Sequence, residues 1–593
     1  MTTCKCKILI LICSFVFAAS CKTKSNDASS NVAWKTEILT KHTGDIEREY
    51  VPAKRIIWTS KGDKSSVKGA NRLLEKGTGQ AILSRDTFCT MLSDSKSKAS
   101  IVLDFGRELH GGLQIITGQY AENRPVNLRI RFGESVGETM AEIGGVSNGN
   151  ARNDHAIRDW NIKVPWLGKI ELGNTGFRFV RIDVLDADIE LIIKEVNAIS
   201  VLRDIPYLGS FNSDSERLNK IWKTGAYTVH LNMQDYLWDG IKRDRLVWVG
   251  DMHPEVNTIN AVFGNSPLVP KTMDLSKAIT PPTAWMNGIS SYSLWWLIIQ
   301  YDWYLANGDL EYLKEQEGYI VKLVENLTKY IDPINGEVLN GMRFLDWPTK
   351  GNEKAVHMGL NALFSIAMDK TAKLGIFIEN AALEEKCKKA KSVLDAHVPE
   401  LVENKQANAL TILAGNGNKN NIDKIKKGGV AGISAFYGYY VLEALAESGE
   451  IDIAMAIIDA FWGGMLDMGA TSFWEEFELS EKEISGRIDE LPSDKLKNYH
   501  AETGRDCYIG YRRSLCHGWA AGPTPWLSKY VLGIQIMEPG ARKVKIEPHL
   551  GKLNWVEGSY PTPLGIIRVR HEKLASGEIQ SEINLPEGIE LIN

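Results

Sequence analysis

The chain has 593 residues, 44% hydrophobic and 24% charged, with a formal net charge of -5. Single hydrophobic cores rarely grow past about 250–300 residues, so several domains are expected. The acidic balance, with no Lys/Arg-rich run interleaved with aromatics, argues against nucleic acid as a partner.

Lys5 and Lys7 precede an apolar run from Ile8 to Ala19 that is too short to span a bilayer comfortably and reads as an export signal. It ends in Ala18-Ala19-Ser20-Cys21, which resembles a bacterial lipoprotein processing site. Residues 1–20 would then be removed and Cys21 lipidated, ordinary signal-peptidase cleavage nearby being the alternative. Losing Lys5 and Lys7 and no acids moves the charge from -5 to -7. Residues 21–33 are polar and Ser-rich, as a tether is. No later segment offers about 18 uninterrupted apolar residues, so the membrane is expected to be touched only through the N-terminal lipid.

From 34 to 208 the apolar pattern has period two, which predicts an all-β domain. Leu128, Ile130 and Phe132 alternate with Arg129 and Arg131, and Phe177 and Phe179 flank Arg178. Gly111-Gly112 and Asn148-Gly149-Asn150 read as turns, and a β-sandwich follows. The period changes near 212, where Ser213-Asp-Ser-Glu216 has the form of a capping box opening a helical domain over 209–532. Further helices are predicted at about 290–306, 310–331, 355–374, 380–398, 430–448, 453–466 and 516–534. Alternation returns over 533–593, with Val544 and Ile546 around Lys545 and Ile567 and Val569 around Arg568, predicting a C-terminal β-domain.

Of eight cysteines, Cys4, Cys6 and Cys13 leave with the leader and Cys21 takes lipid. Cys89, Cys387, Cys507 and Cys516 are too few and scattered for a disulfide framework, and none forms a C-x-x-C pair, so no metal site is expected. Cys507 and Cys516 can pair or remain two buried thiols. The 17 tryptophans are either core or flat faces for sugar C–H surfaces.

Hydrolysing a glycosidic bond requires one protonated carboxyl for the leaving oxygen and one carboxylate for water or the anomeric carbon. The segment Trp238-Asp239-Gly-Ile-Lys-Arg243-Asp244-Arg245-Leu-Val-Trp248-Val-Gly250-Asp251 concentrates acids, cations and tryptophans after the first predicted helix. Mixed charges beside aromatics can split carboxyl pKa values as acid–base chemistry requires. The bland alternative is a solvated loop with incidental ion pairs.

This segment resembles the signature of bacterial α-L-rhamnosidases in the spacing Asp239, Asp244, Asp251 around R-acid-R and W-x-G-D. Downstream, Gly469-Ala-Thr-Ser-Phe473-Trp474-Glu475-Glu476 resembles the family's G-A-T-x-x-W-E stretch. Collinear similarities at Val102–Gly106, Arg131–Glu134, Ser514–His517 and Pro561–Gly565 extend the resemblance over most of the mature chain. It implies an N-terminal β-sandwich, a central (α/α)6 barrel and a C-terminal β-sandwich.

It further implies an exo-acting inverting α-L-rhamnosidase without cofactor, with Asp244 as general acid in place of the usual Glu and Glu475 as general base. Asp239 and Asp251 would hold sugar hydroxyls and, by their charge, help keep Asp244 protonated. Arg243, Trp248 and Trp474 are expected on the substrate as well. Val247 stands where Gly is usual, and Trp285-Met286-Asn287 where a Trp is often followed by Gly-Asp. Trp285 is nonetheless expected to stack on the sugar, with Asp346-Trp347 lining the same cleft. His517 is expected as a substrate hydrogen-bond partner or a buried structural histidine, and His253 as a satisfied loop residue. Two alternatives are an inverting glycosidase for another deoxy or uronic sugar and a non-catalytic glycan-binding lipoprotein. A lyase built on Tyr499 and His500 is a faint third.

Overall fold

The computed structural model describes residues 42–60, 66–84, 88–142 and 158–592. The expected leader, Cys21, the tether and the Asn148–Asn150 turn lie outside them.

Alternating burial builds the N-terminal sheet, as in strand Val126–Gly133, where Leu128, Ile130 and Phe132 face the core. Arg131 departs from the alternation. It is buried and holds Asp183 at 3.0 Å, so the charge enters paired. Nine strands pair among the described residues. The main order is Ser66–Lys68, Cys89–Ser93, Ile189–Arg203, Ser100–Thr117, Lys169–Val184, Val126–Gly133 and Asp159–Val164. Gly111-Gly112 is no turn. It lies inside Ser100–Thr117 where the register shifts, and a Cβ on Gly111 would sit 2.0 Å from the Ile199 carbonyl oxygen. The glycines permit close strand approach at a bulge.

The first helix is Glu216–Asn232, capped by Ser215, whose side chain accepts from the Leu218 amide. The capping box on Ser213 is not formed, because that hydroxyl bonds Asn219 Oδ1 at 2.9 Å. Helices Ser290–Asn307, Leu310–Leu327, Glu353–Phe377, Ala381–Ala396 and Ile451–Asp467 fall where periodicity places them. The helix expected at 430–448 forms only from Gly438 to Glu447. That expected at 516–534 is broken into short turns, where Pro523 and Pro525 remove two N–H donors.

Helices Met252–Val262 and Leu268–Ile279 were not expected. Their prolines Pro254, Pro267 and Pro270 occupy the cap and first turn, where a missing N–H is harmless. Helices Lys405–Leu413 and Lys419–Lys426 were not expected either. No helix of the described residues is long and apolar enough to cross a membrane.

The C-terminal region forms two small sheets. Trp555–Thr562 pairs with Gly565–Lys573, which pairs with Ile579–Asn584, while Ile534–Ile536, Lys543–Ile546 and Glu590–Ile592 form the other. Strand Ser210–Ser213, which precedes the first helix, joins the former sheet by pairing antiparallel with Trp555–Thr562. Cys89, Cys387, Cys507 and Cys516 are all free thiols, so the Cys507–Cys516 pairing does not form.

Candidate active site

The segment 239–251 is a loop linking helices Glu216–Asn232 and Met252–Val262, closed on itself by two bonds. The Asp239 amide donates to the Leu246 carbonyl at 3.1 Å, and the Leu246 amide donates to Asp239 Oδ1 at 2.9 Å. Asp244 and Arg245 turn the loop with φ of 54° and 52°, a left-handed conformation that is costly for residues with a Cβ. A second segment, 514–518, lies alongside. Gly240 bridges His517, and a Cβ there would meet the Cys516 carbonyl oxygen at 2.9 Å.

These segments wall a cavity of about 190 Å³ lined by Asp239, Arg243, Asp244, Trp248, Asp251, Trp347, Glu475 and His517, among others. Sequence reasoning singled out all eight. At its centre Arg243, only 3% exposed, pairs with two carboxylates. Its Nη1 lies 3.3 Å from Asp244 Oδ2, and its Nη2 makes a short contact with Glu475 Oε2. Asp244 is the outer member, with a quarter of its side chain exposed and Arg512 at 3.8 Å.

Glu475 is buried and held on all sides, its carboxylate accepting from the Ser514 amide at 2.9 Å and the Cys507 thiol at 3.2 Å. Burial alone would raise its pKa, but the charges of Arg243 and His517 and the bonds from Arg243 and Ser514 bring it down to about 2. It is therefore ionised at any ordinary pH. Glu476 turns away and accepts from the amides of Arg505, Asp506 and Cys507 at 3.1, 2.8 and 3.3 Å, so the two neighbouring glutamates are not interchangeable.

The flanking aspartates behave differently. Burial, reinforced by the charge of Asp251, pushes Asp239 up to about 8 against the opposing pull of His517. Burial also raises Asp251, against hydrogen bonds from His517 at 3.2 Å and the Tyr292 hydroxyl at 2.9 Å. Desolvation drives both aspartates toward the neutral form, and the ion pairs of Asp244 are with Arg243 and Arg512. His517 is lowered by burial but raised overall by its bond to Asp251 and the charges of Glu475, Asp239 and Asp251.

Three expected contacts lie elsewhere. Trp474 is fully buried against Phe477 and Tyr499, so its ring is core. Trp285 leans on Tyr330 and donates to Asn340 Oδ1 at 2.9 Å, off the cavity wall. Asp346 caps a short turn through a capping box with Thr349 and faces an adjoining cavity of about 330 Å³, where burial raises it to about 7. Asn287, placed where an anionic acceptor is often found, uses its amide to hold the Val249 amide at 3.0 Å and the Val247 carbonyl at 2.9 Å. His253 is on a helix rather than a loop, bonded to Tyr440 and Asp302 at 2.9 and 2.7 Å. Tyr499 and His500 are buried, with His500 bonded to Ser135 and the Arg513 carbonyl, so this pair is walled in by protein.

The reading of the sequence missed Tyr292, Phe344, Tyr508, Arg512, Cys507 and Trp519. Tyr292 fits because Gly250 has no Cβ, which would lie 2.2 Å from its ring. Trp519, two residues beyond His517, carried a usable signal. The 505–513 segment carried none.

Residues 206–408 match the model of the bacterial alpha-L-rhamnosidase 6 hairpin glycosidase domain, and residues 533–592 that of the bacterial alpha-L-rhamnosidase C-terminal domain. No curated protein sequence matches significantly. Among solved structures, a GH78 rhamnosidase of Bacillus sp. GL1 superposes with a TM-score of 0.67 at 19% identity, over 86% of this chain and 56% of that one. A rhamnosidase from Klebsiella oxytoca with rhamnose bound gives 0.63 at 19% identity, over 82% and 96%. Streptomyces avermitilis α-L-rhamnosidase complexed with L-rhamnose gives 0.65 at 15% identity, over 92% and 50%. The chain thus spans about half of the Bacillus and Streptomyces proteins.

Proposed function

Because residues 206–408 and 533–592 match the models of the bacterial α-L-rhamnosidase glycosidase and C-terminal domains, we propose that the chain is an exo-acting, inverting glycoside hydrolase that removes terminal α-L-rhamnose. We also infer that its helices form an (α/α)6 barrel between two β-sandwiches, and that Cys21 carries a lipid anchor after export. Loss of palmitate labelling in Cys21→Ala would support the anchor.

The observation that carries the activity is the sharing of Arg243 by Asp244 and Glu475. One rigid guanidinium touching both keeps their nearest oxygens within about 8 Å, which brings them together as a catalytic pair, and the choice of inversion rests on the family resemblance. Glu475, ionised and buried, takes a proton from the attacking water. Asp244, the more exposed carboxyl, turns from the guanidinium groups toward the substrate, takes up a proton from solvent as it leaves the two cations, and gives that proton to the departing oxygen. Asp239 and Asp251 supply hydrogen bonds to sugar hydroxyls. Ile289, Met342 and Phe344 add an apolar wall suited to the methyl group of a 6-deoxy sugar.

The same wall favours a different deoxy sugar over a uronate as the second reading, because the buried cation is already paired with two acids. A panel of rhamnose-capped oligosaccharides, followed by NMR for the anomer first released, tests sugar and stereochemistry together. Release of the α-anomer first would reject inversion, and no release would reject the activity.

A further inference from the structure

Behind the cavity lies a buried charge cluster that the proposed reaction does not use. Glu134 and Glu138 come from the N-terminal β-region, and Lys242 is the neighbour of Arg243. All three are at most 2% exposed. The Lys242 ammonium lies 2.9 Å from Glu134 Oε2 and 3.5 Å from Glu138 Oε1. These two carboxylates and His500 are close enough to hold a metal ion, and the ammonium stands between the carboxylates as a tethered cation.

The cluster grips the segment that orients Glu475. Lys242 donates to the carbonyls of Tyr511 and Arg513 at 2.7 and 3.0 Å, while Arg243 donates to the intervening Arg512 carbonyl at 2.6 Å. Adjacent side chains thus reach three consecutive carbonyls from one backbone. Glu134 accepts from the Leu515 amide at 2.7 Å and the Ser514 hydroxyl at 3.4 Å, and the Ser514 amide is the donor to Glu475.

We propose that Glu134, acting through Lys242 and the 511–515 segment, is a positioning residue by which the N-terminal β-region sets the orientation and ionisation of Glu475. This rests on the glycosidase reading given above.

Glu134→Gln keeps the shape but leaves the ammonium Glu138, at the longer distance of 3.5 Å, as its carboxylate partner beside the two carbonyls. On a rhamnose-capped oligosaccharide kcat should fall about tenfold or more with KM changed by less than about threefold, since misalignment acts on the chemical step. The acid limb of kcat/KM should rise by about one pH unit as Glu475 loses its aligned donor. Hydrogen exchange should quicken in a peptide covering 511–517 and not in helix Ser290–Asn307. Glu134→Asp, which keeps the charge, should recover part of the rate.

A folded Glu134→Gln variant with wild-type kcat and acid limb would overturn the proposal. If that variant does not fold, Glu134→Asp decides: its shorter reach should still move the acid limb, and an unmoved limb overturns the proposal. Exchange is read without substrate. Quickened exchange in a protein that cleaves no rhamnoside would sink the rhamnosidase reading alone, whereas unaltered exchange in an active enzyme would sink the clamp alone.

Discussion

Glu475 and Ser514 hold each other twice. The Glu475 amide donates to the Ser514 carbonyl at 3.0 Å, and the Ser514 amide donates back to the Glu475 carboxylate at 2.9 Å. The direction of the carboxylate is therefore set by backbone from a separate segment, and substitution of the side chain should leave the loop in place.

Glu475→Gln and Asp244→Asn should each lower kcat by about 10²–10⁴-fold, the range for removing a positioned acid or base. Circular dichroism should stay near wild type in both, while melting should fall in Glu475→Gln, which takes a partner from the buried Arg243, and stay near wild type in Asp244→Asn. Turnover retained in either variant would reject the role of that residue.

The low pKa of Glu475 depends on Arg243. With Arg243→Met, burial acts unopposed by that cation, so the group should titrate above the ordinary carboxylate value of about 4.3. The base works only when ionised. The acid limb of kcat/KM should accordingly move from below about pH 3 to above about pH 5. A pH–rate profile with an unmoved acid limb would show that another cation holds Glu475.

Asp239 has a folded-state pKa raised to about 8, so it favours the folded protein when protonated. Its contribution falls as pH rises from its unfolded value of about 3.9 and stops changing above about 8. Asp239→Asn should raise stability at pH 7–8 by about 2–4 kcal/mol, do little at about pH 4, and lower activity. Urea unfolding at the two pH values measures this, and an equal effect at both would exclude the titration as its cause.

Two tryptophans should separate fold from substrate. Trp474→Ala should destabilise by about 3–5 kcal/mol by opening a cavity in the core. Trp248→Ala, on the cavity wall, should raise KM with stability within about 1 kcal/mol. Unfolding curves and KM on one rhamnoside distinguish them.

Asp239, Arg243, Asp244, Trp248 and Asp251 were legible because chemistry restricts residue types within one short loop, so their spacing survives as a pattern. Arg512, Tyr508 and Cys507 were not. They reach Asp244, Arg243 and Glu475 only after the chain has folded back, and no local spacing records that encounter. Trp474 and Trp248 look alike in sequence because a sugar face and a core ring demand the same side chain. Helix Leu268–Ile279 was hidden by prolines that are breakers in an interior and harmless in a first turn. Ser213 and Ser215 offered two caps two residues apart, and the backbone used the second.

The pairing of Ser210–Ser213 with Trp555–Thr562 ties the entrance of the helical region to a strand made some 340 residues later. A chain delivered N-terminus first presents the earlier strand before its neighbour arrives. It must wait as an unpaired edge while the helices assemble behind it, and an open edge invites association with other chains. A product truncated after the helices would thus carry an open strand edge where the finished molecule has a paired one.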